Sequence, residues 1–197
     1  MKCMRDVKFE AIGNIFKRLV GKRLINIFYQ PMKGIVDDDN MFIVNFGSNK
    51  LEYSIHAFTF LRIRTEEHIL LTSADEYNTP DCEYMDDDLY YGQKGFEKSM
   101  IPVGIKNAKD ALKKARVIST DINGCGDVHI AFDNNVILEL FIDCLYECSN
   151  GYILVDHFPK RHEYYRIMDC TDKSKTIHYI VSFMNGDINA MVSESVD

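Results

Sequence analysis

The chain has 197 residues, of which 46% are apolar and 27% charged, and its net charge is −7. That composition predicts an ordinary soluble globular protein with the length for a substantial core, either one domain or two small ones. An acidic balance without a basic stripe excludes a bare nucleic-acid binder, and no apolar run approaches the roughly 20 residues that span a bilayer.

Residues 7–20 carry Ile12, Ile15, Phe16 and Leu19 at helical spacing, with Asp6 as the expected N-cap and Gly21 as the stop. A strand over 23–29 follows. Strands over 41–46 and 51–58 are expected to form a hairpin around Gly47-Ser48-Asn49, and strands over 60–64 and 68–73 another around Thr65-Glu66-Glu67. Beyond residue 100 the pattern predicts a short helix over 108–115 and a strand over 117–122. A hairpin of 128–132 with 136–142 comes next, then strands over 164–168 and 176–183. Asn123-Gly124-Cys125-Gly126-Asp127 reads as a hairpin turn.

The second half echoes the first in order. Arg23-Leu24-Ile25 matches Arg116-Val117-Ile118, the block 41–46 matches 127–132, and Tyr53-Ser54-Ile55 falls over Leu138-Glu139-Leu140. Leu61-Arg62-Ile63 matches Tyr165-Arg166-Ile167, and the block 68–71 matches 178–181. The predicted fold is therefore mainly β or α+β. Two tandem helix-plus-five-strand antiparallel units pack together with pseudo-two-fold symmetry. The expected boundaries are a first repeat at 1–74, an acidic, tyrosine-bearing linker at 75–106, a second repeat at 107–184 and a flexible tail at 185–197. Together the repeats form one compact domain.

The segment from Asp75 to Asp88 contains seven acids and no base, so its charge alone equals that of the chain. Asp75, Tyr77, Asp81, Glu83, Tyr84, Asp86, Asp87, Asp88 and Tyr90 suit a surface for a basic protein partner, because carboxylates steer and tyrosines supply contact area. A solvated linker explains the same residues. Cys144, Cys148, His157 and His162 have zinc-ligand types, but the gap between Cys148 and His157 is short for a finger and reads as a strand. No cofactor is expected. The sequence holds no nucleophile elbow, phosphate-binding glycine loop or paired-histidine zinc motif. Six scattered cysteines, together with an N-terminus that lacks an apolar h-region, predict reduced thiols and a cytoplasmic location, with no membrane partner.

The string Ser54 to Ile63, followed by Ile69 to Tyr77, with Asp143 and Glu163-Tyr164-Tyr165-Arg166 later, resembles a family of bacterial proteins that forms a domain of unknown function. Leu61 and Tyr165 stand where that family carries tryptophan. The resemblance implies no activity, and by analogy it suggests an immunity-like or accessory protein. Arg62 and Arg166 occupy matching places in the repeat. With Asp75, Asp143 and Glu163 they are expected to form polar clusters where the halves meet, as a structural lock or a polar pocket. Two functions follow. One is a non-catalytic interaction module. The alternative is a small-ligand or metal-binding domain, or an enzyme, with its site between the repeats or at the Cys/His insertion.

Overall fold

The computed structural model describes residues 5–30, 41–77, 99–142, 161–184 and 187–196. Among them are twelve strands and two α-helices. The strands are β1 (Arg5–Val7), β2 (Arg23–Gln30), β3 (Met41–Gly47), β4 (Tyr53–Ala57), β5 (Phe60–Arg64) and β6 (Ile69–Thr72), then β7 (Val117–Ile122), β8 (Val128–Phe132), β9 (Ile137–Phe141), β10 (Arg161–Asp169), β11 (Lys175–Met184) and β12 (Asp187–Val196). Helix α1 spans Phe9–Lys17 and α2 spans Ile101–Leu112, and a 3-10 turn covers Ser73–Tyr77.

The fold is mainly β. One sheet has seven strands in the order β1-β12-β11-β10-β4-β3-β2, and the other has five in the order β6-β5-β9-β8-β7. Every pairing is antiparallel. The expected hairpins form, but neither half keeps its five strands together. β5 and β6 leave β4 and join β9, while β10 and β11 join β4. The sheets enclose one continuous core, in which Phe46 of the larger sheet stacks on Phe132 of the smaller one with centroids 6.5 Å apart.

Alternation decides what each sheet does. In β5 the buried residues Leu61 and Ile63 alternate with half-exposed Phe60, Arg62 and Arg64, as expected of a sheet with one open face. β3 and β4 are buried on both faces. α1 lays Ile12, Ile15 and Phe16 on the core, and Phe16 meets the Tyr165 ring edge-on at 6.0 Å. Its N-cap is Lys8, not Asp6, which belongs to β1. The helix ends at Lys17 with Arg18 as C-cap, short of the expected stop; Gly21, at φ 82°, closes the turns that follow, and its N–H donates to the Val117 carbonyl at 2.8 Å.

α2 begins well before the expected residue 108, inside the stretch read as linker. Pro102 and Gly104 look like breakers in sequence. Pro is tolerated in the first turn of a helix, where its missing N–H has no partner to lose. Gly104 permits a close approach to β6: a Cβ there would come within 2.7 Å of Leu71 Cδ1 and 3.1 Å of Asp75 Oδ2.

Residues 187–196 correct the expectation of a flexible tail. They form a full strand between β11 and β1. Ala190 and Val192 face the core, while Asn189, Ser193 and Ser195 take the other side. Backbone pairing on both sides therefore secures a segment whose side chains look polar. Removing residues 187–197 should cost on the order of 5 kcal/mol, a large part of a domain's stability. The truncated chain is expected to lose cooperative thermal unfolding by circular dichroism. A truncated chain melting at the full-length temperature would contradict the strand's structural role.

Candidate functional site on the open face of the smaller sheet

Arg62 and Arg64 are two residues apart on β5, so both point to the open face. The register sets Arg62 between Thr72 of β6 and Glu139 of β9. Glu139 faces His129 of β8, and His129 faces Asp121 of β7. A polar row thus crosses all five strands. Glu139 is its hub and is only 2% exposed. Its Oε2 accepts Arg62 Nε–H at 2.7 Å and Arg64 Nε–H at 3.0 Å, and its Oε1 accepts Arg64 Nη2–H at 3.1 Å. His129 Nδ1 lies 3.5 Å from the same Oε1.

Burial pushes the Glu139 carboxyl up, but hydrogen bonds from Arg62 and Arg64 outweigh it and hold the group below the usual glutamate value. The same hydrogen bond raises Arg64. A carboxylate held ionised by two guanidiniums is a poor general base. Beside it Phe60 and Phe141 pair with centroids 6.0 Å apart. The Arg62 guanidinium lies 5.0 Å above the Phe141 ring, and His129 meets the edge of that ring at 6.2 Å.

A second polar group lies on the larger sheet. Arg166 sits opposite His56 and Ile180, bonds Glu163 at 2.5 and 2.8 Å, and lies 5.8 Å over Phe58. Burial pushes His56 down to about 4, helped by the positive charge of Arg166 and by His178. His178 Nε2 is 3.0 Å from Ser195 Oγ.

The structure keeps the expected arginines apart. Arg62 and Arg166 lie in different sheets, and Arg62 takes Glu139 rather than Glu163 or Asp75. Asp143 lies outside the described residues. The sequence reading missed Glu139, Arg64 and His129. The available signal was a lone acid inside the apolar run Leu138-Glu139-Leu140, matched by two arginines alternating on another strand.

Of the acidic segment, Asp75 is described in full. Its Oδ2 accepts the Thr72 N–H at 3.0 Å, closing the start of the 3-10 turn, and burial raises its pKa against that bond. The Asp75 carbonyl accepts the Met100 N–H at 3.1 Å, just before α2. Tyr77 contributes backbone to the turn, while Asp81, Glu83, Tyr84, Asp86, Asp87, Asp88 and Tyr90 lie outside the described residues, as do Cys144, Cys148 and His157. His162 contributes backbone to β10. Among the described residues no group of His, Cys, Asp and Glu side chains could hold a metal, and no helix is long and apolar enough to cross a membrane. Comparison with family models, with curated proteins and with solved structures found no match.

Two outcomes follow from these electrostatics. Glu139→Gln should cost about 2–3 kcal/mol, because it leaves two guanidiniums without their counter-charge. Arg62→Met should cost about 1 kcal/mol, since Glu139 retains Arg64. Equal losses in urea unfolding would show that Glu139 is not the hub.

His56 has a folded pKa near 4 against an ordinary value of 6.5. Between those values the unfolded chain binds a proton that the folded chain refuses. Its term is therefore absent above pH 6.5, and stability falls as pH drops toward 4, by on the order of 1–3 kcal/mol after solvent screening. His56→Gln should flatten that part of the stability profile, and an unchanged slope would assign it elsewhere.

Proposed function

We propose that the chain is a non-catalytic, accessory- or immunity-like interaction protein that meets a basic partner through its acidic, tyrosine-bearing segment. The observation that carries this is the hydrogen bond from Met100 N–H to the Asp75 carbonyl. It joins the two residues that flank 76–99, so that connection begins and ends at one place. A connection between two domains would have separated ends. A long excursion with joined ends is the usual form of a loop kept for binding. Seven acids without a base within residues 75–88 give it the charge to steer a basic surface. The resemblance of Arg62, Asp75, Tyr77, Glu163 and Arg166 to family motifs is compatible with that role.

The scaffold behind the excursion is, on this proposal, a duplicated unit whose halves exchange strands. Arg23 and Arg116, equated by the repeat, pair with each other in an isolated antiparallel bridge, as a two-fold axis between the halves requires. Bulges interrupt β2 between Leu24 and Asn26 and β7 between Val117 and Ser119, at matching places. α1 packs on β7, and α2 reciprocally on β2. β10 of the second half pairs with β4, and β5 of the first half pairs with β9.

The hairpin registers, Val44 with Ile55 and Ile130 with Leu138, move one sequence match by two residues. Ile55 then corresponds to Leu138, and the difference lies in the longer first turn. On that alignment Arg62 facing Glu139 corresponds to Arg166 facing His56. Phe141 under Arg62 likewise corresponds to Phe58 under Arg166.

The test is affinity capture from native lysate at low and high salt. One arm uses the natural chain and the other a variant with Asp81, Glu83, Asp86, Asp87 and Asp88 changed to their amides. A basic protein held by the natural chain alone and released by salt is the expected result. Identical captured proteins in both arms would refute the proposal.

A further inference from the structure

The acidic excursion leaves unexplained the opposite charge on the open face of the smaller sheet. Two guanidiniums there share one carboxylate, so the Arg62–Arg64–Glu139 group carries a net positive charge, with the exposed Asp121 two strands away at the end of the row. The two arginines are not used alike. Arg64 gives Glu139 both Nε–H and Nη2–H, and its Nη1–H donates to the Thr65 carbonyl at 3.4 Å. Arg62 gives Glu139 its Nε–H alone. Its two Nη groups, the fork that fits a carboxylate, have no partner among the described residues, and its side chain is 32% exposed.

That fork is also held in place. The Nε bond to a buried carboxylate and the 5.0 Å stacking on Phe141 fix the guanidinium plane, so a ligand need not order it. Around it the half-exposed Phe60 and Phe141 rings offer apolar area, and His129, with its side chain 44% exposed, borders the same surface. The alternating burial of β5 and β8 leaves this side of the sheet half-exposed, whereas β3 and β4 of the larger sheet are buried on both sides.

We propose that this face is a docking surface for an acidic peptide segment of a partner protein, with one side-chain carboxylate of the peptide taken by the Arg62 fork and its chain lying over Phe60 and Phe141. The unused Arg62 fork selects the occupant. A basic peptide would meet two guanidiniums, and a purely apolar one would leave the fork desolvated and unpaired. Its sign is opposite to that of the acidic segment, so the two would serve different partners.

The probe is a fluorescein-labelled oligoglutamate peptide, titrated by anisotropy and followed in parallel by nuclear magnetic resonance of Arg62 Nε–H and of the Phe141 and His129 rings. Saturable binding with shifts at those three residues is expected. Arg62→Met should weaken it by about tenfold, Arg62→Lys by less, and Arg116→Met, an exposed arginine outside the Arg62–Glu139–His129 row whose guanidinium donates to the Gly21 carbonyl, should leave it unchanged. Phe141→Leu keeps the charge but removes the stacking platform, and should weaken binding a few-fold. It serves as the second variant if Arg62→Met unfolds. Equal losses in Arg62→Met and Arg116→Met would show diffuse attraction and overturn the proposal. So would an absence of saturable shifts at Arg62, or displacement of the peptide by equimolar inorganic phosphate.

Discussion

Only Phe58 and Thr59 separate β4 from β5, yet those strands belong to different sheets. Three extended steps reach about 10 Å, close to the spacing of two packed sheets. The sheets are therefore held at packing distance by the chain itself at this corner. The Phe58 N–H donates to the Tyr164 carbonyl of β10, and the Thr59 hydroxyl donates to the Phe141 carbonyl of β9. Each sheet thus grips one of the two residues that cross between them. A second tie lies at the start of β2, where Gly21 N–H meets the Val117 carbonyl and Val117 N–H meets that of Lys22. With both ties made, neither half of the sequence owns a complete sheet. The core that includes Phe46, Phe132, Phe16 and Tyr165 becomes a single object.

The corner also explains where charge is allowed. Between the sheets the described core is apolar, apart from groups tied down individually. One is Tyr165, whose hydroxyl donates to the Gly126 carbonyl at 2.8 Å. Charges are pushed to the outer faces. The smaller sheet concentrates them around Glu139, which is buried by its neighbours on the face yet paired on both oxygens. A buried carboxylate is tolerable there because its counter-ions are half-exposed, so their desolvation cost is small. The hub fixes the two arginines without consuming the outer fork of Arg62. At the base of the acidic stretch the Asp75 carbonyl accepts the Met100 N–H.

Much of the local structure was legible in sequence. Hairpins around Gly47, Thr65 and Asp133 follow from alternation and turn residues, and β7 falls where the pattern puts it. What escaped was set by tertiary partners. β12 looks like a frayed end until β1 and β11 are placed on either side of it. α2 is hidden by Pro102 and Gly104, whose fitness depends on the helix start and on the nearness of Leu71. The crossing of strands between the halves is invisible because local pattern does not say that β5 pairs with β9 and β10 with β4. For that reason Arg62 could be singled out while its partner Glu139 could not. Choosing Glu139 over Asp75, Asp143 or Glu163 requires knowing that β5 lies beside β9.

If the halves descend from one unit, the matched positions Glu139 and His56 show how the two faces came to differ. Each faces the arginine of the neighbouring exchanged strand, and that arginine lies over a phenylalanine. On the smaller sheet the position holds a carboxylate, and the guanidiniums keep it ionised. On the larger sheet it holds an imidazole, and burial with the nearby Arg166 charge keeps it neutral. Arg166 then has to find its counter-charge within its own strand, and Glu163 supplies it across the bulge in β10. Such a local pair neutralises Arg166 and uses its Nε and Nη2 donors. The pair to Glu139 uses Nε alone and leaves Arg62 facing outward. An imidazole opposite one arginine and a carboxylate opposite the other therefore leave Arg166 paired within its own strand and Arg62 with an unused carboxylate fork.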